Sequence, residues 1–143
     1  MTEDLQLDGG CLCGAVRFRL TAAAMAVSHC HCRYCRRATG APFITWMTLP
    51  LTGFMFIKGE PKYFHSSDVV RRGFCGTCGS TITYGANDHP EEIDVSAALL
   101  EDPEAVIPDD HLWSGSRLSW IRMDDGLPQL EAAHWQHGYP DRS

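Results

Sequence analysis

The sequence lacks several features that mark large classes of protein. No apolar run reaches the roughly 20 residues that a membrane-spanning helix requires. Residues 1–10 are acidic and carry no hydrophobic stretch, so we expect no secretory leader. Glycine-rich phosphate-binding loops of either common type are also missing, which argues against a nucleotide-binding βαβ unit. These absences predict a cytoplasmic protein with no membrane partner.

Positive charge is scarce as well. Lys and Arg together number 12 against 18 Asp and Glu, which gives a formal net charge of −6 and an isoelectric point of about 5.5. General nucleic-acid binding rests on neutralising phosphates, so we expect no nucleic-acid partner. Because 44% of the 143 residues are hydrophobic and only 21% are charged, the chain has enough apolar material for a core. We predict a single domain over residues 1–143, with its core at about 8–130.

Short segments of branched and aromatic residues, separated by turn residues, recur along the chain. This pattern predicts a mostly β fold of short antiparallel strands. One helical turn is predicted over 33–39, ended by Gly40, and Asp8-Gly9-Gly10 is predicted to be a turn. Three tryptophans of the tail, Trp113, Trp120 and Trp135, are expected to cap the core. The predicted strands are 15–21, 26–30, 43–48, 54–58, 62–66, 69–74, 81–84 and 93–99.

Cysteine, by contrast, is abundant and grouped. An odd number of thiols in a cytosolic chain does not suit a disulfide framework, because cytosolic thiols are kept reduced. Close-set pairs instead put two sulfurs within reach of one metal ion, about 2.3 Å from each. The set divides into four plus three, which predicts two metal sites. The seven residues are Cys11, Cys13, Cys30, Cys32, Cys35, Cys75 and Cys78.

The group of four predicts a structural zinc. Cys75 and Cys78 form a C-x-x-C turn followed by Gly79, which is typical of a zinc knuckle, and Cys11 and Cys13 are the best second half of a tetrahedral site. Such an ion would hold together two segments that are far apart in sequence and contribute to folding. The alternatives are buried reduced thiols or a redox pair at Cys75 and Cys78.

The group of three predicts a catalytic zinc with an open position. If residues 29–32 are extended, Cys30 and Cys32 share one face, His29 and His31 point away, and Cys35 returns through a turn. Three protein ligands leave a fourth position for substrate or water, as in catalytic zinc sites. Two alternatives stay open: a histidine closes the site and makes it structural, or the three cysteines bind no metal.

Arginines cluster near the cysteine motifs. Zinc–thiolate groups are anionic and need nearby cations, so some of these arginines are expected only to neutralise charge. One or two of them are predicted to bind a substrate carboxylate, because a planar guanidinium engages both oxygens. The candidates for substrate binding are Arg33, Arg36 and Arg37, and Arg71 and Arg72 lie beside the last cysteine pair.

The chain carries three cysteine-containing motifs: Gly10-Cys11-Leu12-Cys13-Gly14, His31-Cys32-Arg33-Tyr34-Cys35-Arg36 and Phe74-Cys75-Gly76-Thr77-Cys78-Gly79-Ser80. The tail adds His111-Leu112-Trp113 and Asp125-Gly126-Leu127-Pro128. Together these motifs resemble the CENP-V/GFA family, which includes the glutathione-dependent formaldehyde-activating enzyme, and the resemblance covers about residues 8–130.

The resemblance implies a β-tent fold held together by zinc, with two zinc ions per chain, and a carbon–sulfur lyase type of activity. The implied reaction joins a small thiol such as glutathione to an aldehyde such as formaldehyde, so the partners would be small molecules. Two other functions compete with it: a zinc-binding interaction module without enzymatic activity, and a redox or metal-buffering protein. The sequence leaves the oligomeric state and the direction of the reaction open.

Overall fold

A computed structural model describes residues 5–141 and confirms the mostly β fold. Its ten described strands are β1 (Leu7–Gly10), β2 (Arg17–Leu20), β3 (Ala26–Cys30), β4 (Ile44–Pro50), β5 (Phe54–Lys58), β6 (Lys62–His65), β7 (Val70–Phe74), β8 (Thr81–Ala86), β9 (Glu92–Ser96) and β10 (Asp110–Leu112). The helices are α1 (Arg33–Thr39) and α2 (His134–His137). Short 3-10 turns fill several of the connections.

The strands form two sheets. The smaller has the order β1-β2-β5, and the larger has the order β10-β3-β4-β9-β8-β7-β6. Neighbouring described strands pair antiparallel, as predicted, except that β10 lies parallel to β3 at one edge of the larger sheet. No helix within residues 5–141 is long and apolar enough to cross a membrane.

The main core combines residues of both sheets. Phe18 and Leu20 of β2 form one buried cluster with Met47 and Leu49 of β4 and with Val95 of β9. Alternation along β4 therefore turns one side of the larger sheet toward the smaller sheet. The other side carries Trp46 and Thr48, which face a cavity described below.

The segment Asp8-Gly9-Gly10 is a strand rather than the predicted turn. Gly9 pairs with Phe18 across the β1–β2 ladder, and a Cβ on Gly9 would lie 2.5 Å from the carbonyl oxygen of Leu99. The glycine is thus explained by close backbone approach and not by a bend. From the sequence alone, adjacent glycines after an aspartate are indistinguishable from a turn.

The tail tryptophans differ in their environments. Trp113 packs against a second, smaller core cluster made of Cys30, Cys35 and Trp46. Trp120 and Trp135 are 68% and 59% exposed, so the expectation that all three tryptophans cap the core is wrong for these two.

Candidate metal centres and substrate cavity

The four-cysteine cluster is assembled from two loops. Cys11 and Cys13 follow β1, Cys75 and Cys78 follow β7, and the four sulfur atoms lie within 4.8 Å of one another. The Cys13 sulfur is 3.7 Å from the sulfurs of both Cys11 and Cys75. Two thiolates bound 2.3 Å from one tetrahedral zinc ion lie about 3.8 Å apart. The donor set and its spacing therefore fit zinc.

Hydrogen-bond donors surround these sulfurs. The backbone amide of Val16 donates to the Cys11 sulfur at 3.3 Å, and the amide of Thr77 donates to the Cys75 sulfur at 3.4 Å. The Ser80 hydroxyl lies 3.2 Å from the Cys78 sulfur, and this contact lowers the pKa of Cys78 to about 5. Gly79 has a φ of +82°, which lets the turn close with an amide-to-carbonyl bond back to Cys75. The contacts of Cys78 thus favour its thiolate form, the form that binds a metal ion.

The three-cysteine cluster lies at the end of β3 and the start of α1. Cys30 is the last residue of β3, Cys32 is the N-cap of α1 and Cys35 lies in its first turn. The three sulfurs lie within 4.8 Å of one another, and those of Cys30 and Cys35 are 3.6 Å apart, a spacing that also fits zinc. Because the Cys32 side chain accepts the amide hydrogen of Cys35 at 3.2 Å, helix capping fixes the position of this sulfur.

The thiols of this second cluster differ in their pKa values. Hydrogen bonds from Cys30 and Cys35 lower the pKa of Cys32 to about 2, whereas the same contacts and burial raise the pKa of Cys30. Arg72 is buried, and its two terminal nitrogens lie 3.6 and 3.7 Å from the Cys35 sulfur. This guanidinium provides the cationic neighbour that a cluster of thiolates needs.

A cavity of about 680 Å³ opens beside the second cluster. Cys30, Cys32 and Cys35 all line it, whereas its described lining contains none of the four residues of the first cluster. Trp113 also lines the cavity and has a φ of +54°, a backbone conformation that is unfavourable for a bulky residue. Packing of its side chain against the cluster of Cys30, Cys35 and Trp46 helps to hold this conformation. The second cluster therefore borders on a space large enough for a small molecule.

The histidines beside the cysteines are bonded elsewhere. The Nδ1 atom of His29 is 2.8 Å from the Thr45 hydroxyl, and the Nε2 atom of His31 is 2.9 Å from Nδ1 of His111. Nε2 of His111 in turn lies 2.8 Å from a carboxylate oxygen of Asp125. Burial lowers the pKa of His31 to about 4, so this ring is neutral. Among the described residues, Nδ1 of His31 is buried without a hydrogen-bond partner, but neither His29 nor His31 brings a ring nitrogen within 4.8 Å of all three sulfurs. This agrees with an extended backbone, which turns alternate side chains to opposite faces.

The histidine network was not found by sequence reasoning. His111 reaches it through β10, which pairs with β3 so that His111 stands opposite His29. His29, His111 and Asp125 also bring ligand atoms within 4.8 Å of one another; a hydrogen bond joins His111 to Asp125, and the ring centres of His29 and His111 lie 4.9 Å apart. The only sequence signal was the presence of His111 and Asp125 in the family-like motifs of the tail.

The three arginines predicted to bind substrate lie in different places. Arg33 lines the cavity, and its guanidinium lies 5.5 Å from the ring centre of Tyr34. Arg36 donates to the backbone carbonyl of Ser116 at 3.3 Å, and Arg37 lines a neighbouring recess. Arg72, which the sequence places beside the last cysteine pair but which is not among these three candidates, contacts the sulfur of Cys35 in the second cluster.

Fold and site together describe a mostly β protein with two cysteine clusters suited to zinc, one of them bordering a cavity. A family model described as glutathione-dependent formaldehyde-activating enzyme matches residues 6–116. The chain therefore belongs to this family, which confirms the resemblance found in the sequence.

Individual relatives are distant. An uncharacterized lyase of Schizosaccharomyces pombe is 26% identical over 101 residues, covering 71% of this chain and 73% of the relative. A Halomonas elongata protein, provisionally named as a glutathione-dependent formaldehyde-activating enzyme, is 25% identical over a 150-residue alignment that covers 96% of this chain and 90% of the relative. The crystal structure of a Rhodobacter sphaeroides protein matches with a TM-score of 0.55 at 22% identity, covering 86% of this chain and 98% of that one, and supports the fold.

Proposed function

We propose that this protein is a zinc-dependent enzyme of the carbon–sulfur lyase type. It would bind a small thiol, such as glutathione, and catalyse the addition of that thiol to an aldehyde such as formaldehyde, or the reverse reaction. The observation that carries the proposal is the position of Cys30, Cys32 and Cys35 in the wall of a cavity, with both neighbouring histidines bonded elsewhere. Family membership and the names of the relatives support the reaction type.

The two clusters are assigned different roles in this proposal. Cys11, Cys13, Cys75 and Cys78 would hold a structural zinc, and Cys30, Cys32 and Cys35 would hold a catalytic one. A zinc ion bound by three thiolates supplies a Lewis acid that favours the thiolate form of an incoming thiol, the form that attacks a carbonyl carbon. The predicted cytoplasmic location and small-molecule partners belong to the same proposal.

Residues of the chain itself prepare the cavity for this chemistry. Arg72 stabilises negative charge at Cys35, and its guanidinium lies 5.0 Å from the ring centre of Tyr84. Trp46 and Trp113 form apolar wall and limit the water around the reacting sulfur. Among the three predicted arginines, Arg33 lies where it can bind a substrate carboxylate, because it lines the same cavity.

The test is the rate at which the purified zinc-loaded protein interconverts glutathione, formaldehyde and their hydroxymethyl adduct. Exchange NMR measures this rate above the spontaneous one. We expect clear acceleration by the wild type and none by Cys32→Ser, with Cys32→Ser retaining one zinc ion per chain. A wild type that carries two zinc ions but neither accelerates exchange nor binds glutathione would leave the non-enzymatic zinc module as the better description.

A further inference from the structure

The floor of the cavity contains a row of four polar or aromatic side chains that crosses four strands. The sheet register places Thr48 of β4 opposite Asp94 of β9, Asp94 opposite Tyr84 of β8, and Tyr84 opposite Arg72 of β7. All four residues line the cavity. Because adjacent strands lie about 4.8 Å apart, the backbones of Asp94 and Arg72 are separated by about 10 Å.

The row carries groups of opposite charge, Asp94 and Arg72, on the two sides of Tyr84. Arg72 is directed toward the Cys35 sulfur and covers the ring of Tyr84. Asp94 accepts a hydrogen bond from the Thr48 hydroxyl at 2.6 Å. Thr48 is the hydrogen-bond partner that the described residues provide for Asp94, so the second carboxylate oxygen is left for a ligand.

The Asp94 carboxylate lies in an environment that does not favour its charge. Burial raises the pKa of Asp94 to about 7; the hydrogen bond from Thr48 and the charge of His134 act against this rise, while Glu92 and Cys35 add to it. The neighbouring Tyr84 is also poorly solvated, and burial raises its pKa to about 12. An ionised carboxylate here gains from a positively charged ligand that enters the cavity, because few solvent molecules compete for it.

We propose that Asp94 binds a protonated amine of the substrate thiol, so that the cavity selects aminothiols over thiols that lack an ammonium group. This inference rests on the proposed function, since it places the substrate sulfur at Cys30, Cys32 and Cys35. The amine then lies on the far side of Tyr84, on the order of one or two strand spacings from the sulfur, about 5–10 Å. Peptide-like thiols with a free amino group several bonds from the sulfur suit this separation better than short aminothiols do.

The test compares two thiols that differ at this amine, because acetylation removes its positive charge and adds an acetyl group. Glutathione and glutathione acetylated on its amino nitrogen are titrated by calorimetry into the zinc-loaded wild type, Asp94→Asn and Asp124→Asn. Asp124 is exposed and outside the described cavity lining, so its variant is a matched control for the loss of one carboxylate. We expect the wild type and the control to bind glutathione at least about tenfold more tightly than the acetylated form, as a charge-assisted hydrogen bond allows, and Asp94→Asn to bind both alike.

Proton linkage gives a second readout. An ammonium group favours the ionised form of Asp94, so at pH 6 glutathione should release more protons on binding than the acetylated thiol does. Titrations in two buffers of different ionisation enthalpy measure this difference, and loss of the thiol proton contributes equally to both ligands. The difference should vanish in Asp94→Asn.

The outcomes separate this inference from the function on which it rests. If neither thiol binds to wild type that carries two zinc ions, the proposed function fails. If both bind and acetylation changes neither affinity nor proton release, the function stands and the ammonium site is wrong. An equal loss for both thiols in Asp94→Asn would also overturn it. If that variant does not fold, the difference in proton release between the two thiols in the wild type decides the matter, because the bulk of an acetyl group does not change proton release by glutathione.

Discussion

The two cysteine clusters use the same ligand atom in the same small fold, but their surroundings differ. The sulfurs of Cys11 and Cys75 accept hydrogen bonds from backbone amides of the loops that carry these cysteines. The sulfur of Cys35 instead contacts the guanidinium of Arg72, a side chain from a distant strand, and borders a cavity. Local amides occur in both clusters, since the Cys32 sulfur accepts the amide of Cys35, but the second cluster also borders the cavity and contacts a side chain from a distant strand. Surroundings, more than ligand type, thus distinguish a structural from a catalytic candidate.

The largest effect is expected from breaking the first cluster. In the proposed assignment, Cys75→Ser removes a buried ligand of the structural zinc, and such an ion contributes on the order of 10 kcal/mol in small domains whose folding is coupled to metal binding. We expect the variant to lose a cooperative thermal transition or to be recovered unfolded. Differential scanning calorimetry together with zinc analysis measures this. A Cys75→Ser protein as stable as wild type would remove the structural role from this cluster.

Breaking the second cluster should abolish activity and leave the fold intact. Cys32→Ser is expected to reduce zinc from two ions to one per chain and thiol–aldehyde exchange to the spontaneous rate. The melting temperature should change far less than in Cys75→Ser, because Cys32 is only partly buried and lies beside the cavity. Equal destabilisation by both substitutions would contradict the difference between the clusters.

Substitution of Arg72 tests what its contact with the Cys35 sulfur contributes to the second cluster. Arg72→Lys keeps the charge but cannot present two nitrogens to the sulfur while covering Tyr84. We expect a loss of about 10–100-fold in activity or in zinc affinity at the second cluster, the usual cost of changing a residue that supports a metal ligand. Competition with a chromogenic chelator measures the affinity of each ion separately. The first ion should be unaffected, and Arg71→Lys, on the same strand and exposed, is the matched control.

The smallest effect is expected from Asp94, on the cavity side of the larger sheet, and concerns how stability depends on pH. Because the folded state raises the pKa of Asp94 from its usual 3.8 to about 7, the native protein holds the proton more tightly than the unfolded chain does. The resulting stability is fully present below pH 4 and is lost as pH rises toward 7. Asp94→Asn should therefore be more stable than wild type at pH 8, by on the order of 2 kcal/mol after allowance for cavity water, with no gain at pH 4. Urea unfolding at the two pH values measures this, and a gain that is equal at both would contradict the assignment.

Prediction from the sequence succeeded where chemistry is local. The spacing of Cys32 and Cys35 suits one turn of α1, and the structure places both sulfurs together there. Extended backbone before Cys32 predicted that His29 and His31 point away from the sulfurs, and their contacts with Thr45 and His111 agree. The predicted assignment of the ligands to two zinc ions remains a prediction that metal analysis must test.

Prediction failed where a residue's role depends on a distant partner. Gly9 looked like part of a turn because its close neighbour, the Leu99 carbonyl, is 90 positions away in the chain. The strand β10 was not predicted, because an edge strand of three residues is too short to show an alternating pattern of apolar and polar residues. Asp94 lay unremarked within a predicted strand, although its burial and the hydroxyl of Thr48 make it unusual.

The sequence by itself determined the mostly β class, the family and the division of the cysteines into four and three. These properties depend on residue type and on short spacings, both of which can be read from the sequence alone. Only the tertiary structure decided which cluster borders a cavity, which arginine contacts a cysteine sulfur and which carboxylate lies on the cavity floor. Those features arise from the register of strands that are far apart in the chain, and local spacing does not encode register between distant strands.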